Sequence, residues 1–259
     1  MADGLIDKRV LITAGGAGIG RAIASAFRAA GARVHICDVD PKALADTKDA
    51  WPELGTTLTD VADPDQVDRL FEEALSNLGG LDFLVNNAGI AGPTAAVEDC
   101  NTEGWRHTLA VNLDATFFCA RRAIPALKAT GGGAIINMSS SAGLFGYALR
   151  SPYVAAKWAI IGFTKTLAME LGPHSIRANA ICPGPVSGPR MDRVIAAQAE
   201  ARGVPEQAVR DTYTRNVSMR TFVDPEDIAN AAVFLCSPLG AKISGQAFPV
   251  DGHTESLSD

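Results

Sequence analysis

The chain has 259 residues, 47% of them hydrophobic and 20% charged, with a formal net charge of −6. That composition excludes global disorder, and the acidic balance argues against a nucleic-acid partner, which would call for a basic field. No run approaches the ~18 apolar residues of a membrane span, and the N-terminal segment lacks the charged and apolar regions of a signal peptide. The length fits one α/β domain, expected over residues 1–259.

The cysteines are Cys37, Cys100, Cys119, Cys182 and Cys236, odd in number and far apart. They read as reduced thiols, mostly buried, of a cytoplasmic protein. The four histidines form neither HxxxH nor HExxH, so no metal site is expected. The absence of GxSxG disfavours an α/β-hydrolase.

In chain order, short apolar runs predict strands at residues 10–14, 34–37, 57–59, 83–85, 134–138, 178–181 and 247–250. Such short continuous runs suit parallel strands covered on both faces. Helices are predicted between them. Residues 19–30 are rich in Ala and stop before Gly31. Residues 64–78 place Val67, Leu70, Phe71, Ala74, Leu75 and Leu78 on one face, with Asp63 as N-cap and Pro64 in the first turn. The alternation predicts a Rossmann-like doubly wound sheet of about seven strands, with helices on both faces.

The first strand runs into Thr13-Ala14-Gly15-Gly16-Ala17-Gly18-Ile19-Gly20. A glycine-rich turn at a helix N-terminus lets backbone N–H groups approach a pyrophosphate, although such a turn also serves packing alone. Asp38 closes the second strand, where a carboxylate accepts from both ribose hydroxyls of NAD and repels the 2′-phosphate of NADP. NAD is therefore expected over NADP.

In Ser151-Pro152-Tyr153-Val154-Ala155-Ala156-Lys157, Ser151 is expected as N-cap and Pro152 as the first helical residue. Tyr153 and Lys157 then share one helix face. An ammonium ~5 Å from the phenol, at an effective dielectric of ~20, is worth about 3 kcal/mol towards the phenolate. Tyr153 then becomes able to take a proton from an alcohol or give one to a carbonyl. Other polar motifs fall at strand carboxyl ends: Asp60-Val61, Asn86-Asn87-Ala88-Gly89 and Ser139-Ser140-Ser141. That is where an open α/β sheet binds its ligand. After Cys182 and PGPVSGP, about thirty polar residues, Arg190 to Arg220, interrupt the sheet pattern. A lid over the site is expected at about residues 188–220.

With these motifs the sequence resembles the short-chain dehydrogenase/reductase family, from Val10 to Gly252. Its TGxxxGxG loop is matched by Thr13, Gly18 and Gly20, with Ala14 at the first glycine and Gly15 beside it. Its NNAG is matched by Asn86 to Gly89, and its YxxxK by Tyr153 and Lys157. Its serine, thirteen residues before the tyrosine, falls on Ser140, and its helix asparagine on Asn112 in VNLDATFF.

The resemblance implies catalytic roles for Asn112, Ser140, Tyr153 and Lys157. Tyr153 would be general acid/base, Ser140 would hold the substrate oxygen, and Lys157 would bind the nicotinamide ribose. Asn112 would hold a water that relays protons. Cofactor contacts would come from Gly15, Gly18, Ile19, Gly20, Asp38, Asp60, Val61, Asn87, Ala88, Gly89, Tyr153, Lys157, Pro183, Gly184 and Val186. Gly188 stands where the family usually has threonine. The reaction implied is NAD(H)-dependent interconversion of a secondary alcohol and a ketone, on a sugar, sugar acid or other small polar hydroxy compound.

Substrate contacts are expected from Tyr147, Arg150, Arg190 and Arg193, the arginines as a grip for a carboxylate or polyhydroxy group. A 3-oxoacyl thioester reductase is the alternative within the family. It is weakened by Met169, which stands where such enzymes commonly carry a basic residue. A non-catalytic NAD(H)-binding regulator is the alternative of another class. A helix around Trp105 to Leu127 and one from Pro152 to Leu171 are apolar on more than one face; the resemblance implies that such helices pair between subunits in a homo-oligomer, a tetramer rather than a dimer.

Overall fold

The computed structural model describes residues 4–257; residues 1–3 and 258–259, the ends of the expected domain, lie outside it. Seven parallel strands form one sheet in the order β3-β2-β1-β4-β5-β6-β7. They are β1 (Arg9–Thr13), β2 (Arg33–Asp38), β3 (Gly55–Leu58), β4 (Phe83–Asn86), β5 (Gly133–Met138), β6 (Ile176–Pro183) and β7 (Ala247–Val250).

Strand alternation divides the core. Val10 and Ile12 of β1 face one layer, with α1 (Gly18–Ala29), α2 (Pro41–Ala50) and α9 (Pro225–Cys236). Leu11 faces the other layer, with α3 (Pro64–Leu78), α5 (Ala115–Ala129) and α6 (Ser151–Leu171). Because β1 pairs with β2 on one side and β4 on the other, the order reverses there. The crevice opens outside the carboxyl ends at such a point.

Helix α3 keeps its predicted bounds, and Asp63 accepts from the backbone N–H of Asp65 and Gln66. Two expectations are corrected. Ser151 is not the N-cap of α6: the helix begins at Ser151, and Arg150 takes the cap position without a side-chain cap bond. Proline lacks an N–H and is tolerated in the first turn, so the same Ser-Pro pair admits a helix one residue longer. The apolar stretch from Trp105 to Leu127, read as one helix, is α4 (Thr102–Leu109), a π turn (Ala110–Asp114) and α5.

The polar insertion folds as α7 (Pro189–Arg202) and α8 (Glu206–Arg215). The pair has its own small core of Ile195, Ala199 and Val209. An Asp192–Arg210 ion pair at 2.8 Å links the two helices. Among the described residues, no helix is long and apolar enough to cross a membrane. No cluster of three or more His, Cys, Asp or Glu suited to a metal occurs among them.

Candidate active site

The polar motifs of the sequence lie at the carboxyl ends of the strands. Thr13 closes β1, and its Oγ1 accepts from the backbone N–H of Asn87 (2.9 Å) and Ala88 (3.0 Å) after β4. The loop after β1 then turns into α1. A Cβ on Gly20 would collide with the Ala14 carbonyl, while one on Gly18 would meet nothing within 4 Å. The loop is thus packed on its inner side and open where Gly18 points outward. Asp38 Oδ2 accepts from the Gly16 N–H at 3.0 Å, so the carboxylate that ends β2 is fixed against this loop. Asp60 follows β3 and accepts from the Ala62 N–H at 2.9 Å, while Val61 is buried against α3.

The two asparagines of the motif after β4 have different roles. Asn86 is buried and donates to Asn137 Oδ1 (2.9 Å), and Asn137 Nδ2 in turn donates to Thr164 Oγ1 of α6 (2.9 Å). This chain locks β4, β5 and α6 together. Asn87 instead faces the glycine loop.

The serine motif separates in the same way. Ser139 is buried and donates to the Lys157 carbonyl at 2.8 Å. Ser141 is buried as well. Ser140 accepts from the Ala142 N–H at 3.2 Å, and of the three it is the one that bears on the Tyr153 phenol, lowering its value.

Helix α6 brings Lys157 Nζ to 5.5 Å from the Tyr153 ring centre. Its Nζ donates to the Met138 carbonyl at 2.8 Å. Burial opposes the Tyr153 phenolate, but the charges of Lys157, Arg190 and Arg150 and the Ser140 hydrogen bond outweigh it. The phenol is held below its ordinary value of 10. Burial pushes Lys157 down to about 8, against the pull of the nearby phenol.

The π turn delivers Asn112. Its Nδ2 donates to the Thr108 and Ile90 carbonyls at 2.8 and 3.1 Å. Its Oδ1 is buried and accepts nothing from the protein. A Cβ on Gly89 would stand 2.6 Å from Asn112 Oδ1 and 3.5 Å from Lys157 Nζ, so the two groups converge on that glycine. A π turn widens a helix by one residue and recurs at functional sites.

Of the four expected substrate contacts, Arg150 lies beside Tyr153, Tyr147 lies beside Arg150, and Arg190 and Arg193 are on α7. Arg150 is buried, 5.2 Å from the Tyr153 ring centre and 5.9 Å from that of Tyr147. Tyr147 is hydrogen-bonded to Tyr213 of α8, and Gln198 of α7 donates to both hydroxyls, at 2.7 and 2.8 Å. Arg190 is exposed, but its charge acts on both Tyr153 and Lys157. Arg193 is exposed and has no hydrogen bond or ion pair among the described residues.

Sequence reasoning missed Gln198 and Tyr213, because nothing in a polar insertion marks which residues turn inward. Pro183 ends β6, Gly184 after it donates to the Val250 carbonyl of β7 at 3.1 Å, and a Cβ on Gly184 would press on Asp251. Val186 pairs with Val223, and Gly188 precedes α7.

This is the sheet, cleft and side-chain set of a nucleotide-dependent oxidoreductase. The family model described as enoyl-(acyl carrier protein) reductase matches residues 13–253. The chain is 36% identical to D-beta-hydroxybutyrate dehydrogenase of Cupriavidus necator over 250 residues, 95% of this chain and 96% of that protein. It is 36% identical to sorbitol dehydrogenase of Cereibacter sphaeroides over 247 residues, 95% and 96% of the two chains. Among solved structures it is similar to NAD+-bound xylitol dehydrogenase, at 27% identity and a TM-score of 0.92, covering 96% of this chain and 99% of that one. The chain belongs to the short-chain dehydrogenase/reductase family. It is an oxidoreductase of alcohols and ketones that uses a nicotinamide cofactor.

Proposed function

We propose that the chain oxidises a small polar secondary alcohol with NAD+, and reduces the matching ketone with NADH, using Tyr153 as general base and acid. The observation that carries this reading is the Tyr153 phenol with the Lys157 ammonium 5.5 Å from its ring centre, held below its ordinary value by that charge and by Ser140. Bound NAD+ supplies the hydride acceptor. Gly15, Gly18, Ile19 and Gly20 of the open loop, with Asn87, Ala88 and Gly89, would hold its pyrophosphate and adjoining ribose. Asp60 and Val61 would flank the adenine, and Pro183, Gly184 and Val186 the nicotinamide.

The remaining steps belong to side chains. Ser140 donates a hydrogen bond to the substrate oxygen, which positions the carbinol against Tyr153. Tyr153 takes the hydroxyl proton as the carbonyl forms. Lys157 stabilises the phenolate by charge. Asn112 Oδ1, a buried acceptor that faces the same space as Lys157 Nζ, would hold a water through which the lysine regains its proton.

NAD rather than NADP is favoured by Asp38, whose carboxylate would repel a 2′-phosphate. The α7–α8 pair would act as a lid, latched to the Tyr147 loop through Gln198. The half-exposed Phe117 and Trp158, with Trp105 nearby in sequence on α4, favour pairing of these helices between subunits and a homotetramer. Five free cysteines, four of them buried, favour the reducing cytoplasm.

The test is formation of reduced nicotinamide with NAD+ and NADP+ across polyols, sugar acids, hydroxy acids, cyclic alcohols and 3-hydroxyacyl thioesters. Tyr153→Phe serves as the control. Turnover that survives in the variant refutes the acid/base assignment. Tight NADH binding without turnover of any alcohol favours the regulator. The thioester reading is the weaker one, because the named relatives act on small hydroxy compounds and Met169 is 81% exposed without a charge.

A further inference from the structure

Arg150 is 3% exposed, and its Nε is buried without a hydrogen-bond partner. Its Nη2 donates to the Ala91 carbonyl at 2.9 Å. No carboxylate forms an ion pair with it among the described residues. A buried guanidinium normally faces a carboxylate, because neutral partners compensate its lost hydration poorly.

The backbone holds the residue in place at a cost. Leu149, just before it, has φ 63°, and its carbonyl accepts from the Ala95 N–H at 3.0 Å. A branched residue keeps such a conformation only where its surroundings impose it, and such sites concentrate at ligand clamps. Arg150 is thus clamped between the segment after β4 and the start of α6, with its guanidinium carbon 5.2 Å from the Tyr153 ring centre. The charged neighbours of the Tyr153 phenol are Lys157, Arg190 and Arg150, all positive. The missing negative charge belongs where the substrate sits.

We propose that Arg150 is the specificity residue of the cleft, and that it takes the carboxylate of a short hydroxy acid whose carbinol is presented to Ser140 and Tyr153. The inference rests on the dehydrogenase reading and names its substrate class. The 5.2 Å between guanidinium and ring centre limits the spacing. At about 1.5 Å per carbon–carbon bond, the carboxylate lies one to three carbons from the carbinol. A single deep guanidinium matches one planar carboxylate better than a doubly charged phosphate ester. Arg190 is exposed and its charge reaches Tyr153, so it attracts the same anion without fixing it.

Two measurements test this on the full-length protein with NADH or NAD+ bound. In the first, equilibrium dialysis follows propionate, propionamide and methyl phosphate on the NADH complex. Propionate is expected to bind at least about tenfold more tightly than the amide. Arg150→Met removes that difference, and Arg150→Lys restores part of it. In the second, kcat/KM is compared for four-carbon 2- and 3-hydroxy acids and their amides. An acid preference of about tenfold or more is expected, carried mainly by KM and lost in Arg150→Met.

Amides that bind and react as well as acids overturn the proposal, as does an acid preference that survives in Arg150→Met. Tighter binding of methyl phosphate overturns the carboxylate assignment. Turnover of cyclohexanol or sorbitol with no advantage for acids removes Arg150's role and leaves the dehydrogenase standing. Arg150-dependent propionate binding without turnover of any alcohol upholds the anion site and removes the dehydrogenase.

Discussion

The side-chain amide of Asn87 donates to the carbonyl of Ala14 at 3.1 Å, and to that of Thr13 at 3.0 Å. Ala14 is thereby held at φ 49°, a left-handed conformation disfavoured for any residue with a Cβ. Ala14→Gly removes that strain, partly offset by the entropy glycine loses on folding. The expected result is a gain of up to about 1 kcal/mol, read from the denaturant midpoint at constant slope. An unchanged or lower midpoint would sink this account of the loop.

Tyr153→Phe is expected to lower kcat by about 10²–10⁴-fold, the usual worth of a positioned acid/base group. NADH binding, followed by its fluorescence, should persist. A variant that loses both together would place Tyr153 in binding rather than proton transfer.

The pH dependence follows from the same group. Alcohol oxidation needs the phenolate, so its rate rises with pH through the Tyr153 value and levels off above it. Ketone reduction needs the phenol and falls over the same range. Because the Lys157 charge lowers that value, Lys157→Met moves both limbs to higher pH. Limbs that stay in place in pH–rate profiles would show that Lys157 does not tune the tyrosine.

Asp38→Ser removes the carboxylate at the end of β2. The ratio of kcat/KM with NAD+ to that with NADP+ should fall about tenfold or more, equivalent to about 1.4 kcal/mol. A ratio that does not move would assign cofactor choice to another residue.

His35 makes a stability prediction. Thr57 Oγ1 donates its only hydrogen to Glu73 at 2.6 Å, so it accepts from His35 Nε2 at 3.0 Å. Burial holds the imidazole neutral, with its value below the ordinary 6.5. The folded state therefore binds the proton less readily than the unfolded one. Its contribution is complete above pH 6.5 and is lost as pH falls through the lowered folded value. His35→Gln should flatten stability below that pH in denaturant titrations; an unaltered acid slope would assign the loss elsewhere.

Most of the scaffold was readable because single residues carried the signals. Asp63 and Pro64 marked where α3 begins, and its one-sided apolar face carried it to Leu78. Short runs buried on both faces marked the parallel strands. Strand ends moved by a residue or two, since pairing with a neighbour sets them: β3 starts at Gly55 because His35 of β2 pairs with it. The π turn was hidden because its cause is tertiary. Asn112 is drawn to the Ile90 carbonyl as well as to its own helix, and no periodicity records that. In the serine motif, family spacing pointed to Ser140, and the hydrogen bonds of Ser139 and Ser140 give that choice a physical basis. Gln198 and Tyr213 were unreadable because their partner is Tyr147, more than forty residues away.

Gly188 leads into α7 with φ 131° and ψ 177°, and a Cβ built there meets no atom within 4 Å. There is room for a side chain, but the backbone forbids one. Threonine therefore cannot return by a single substitution: the peptide would have to swing, and Pro189 and the whole of α7 with it. Gly188 and the direction of α7 are therefore coupled, so changing the hydroxyl content of this corner means redrawing the path by which the helical pair leaves the sheet.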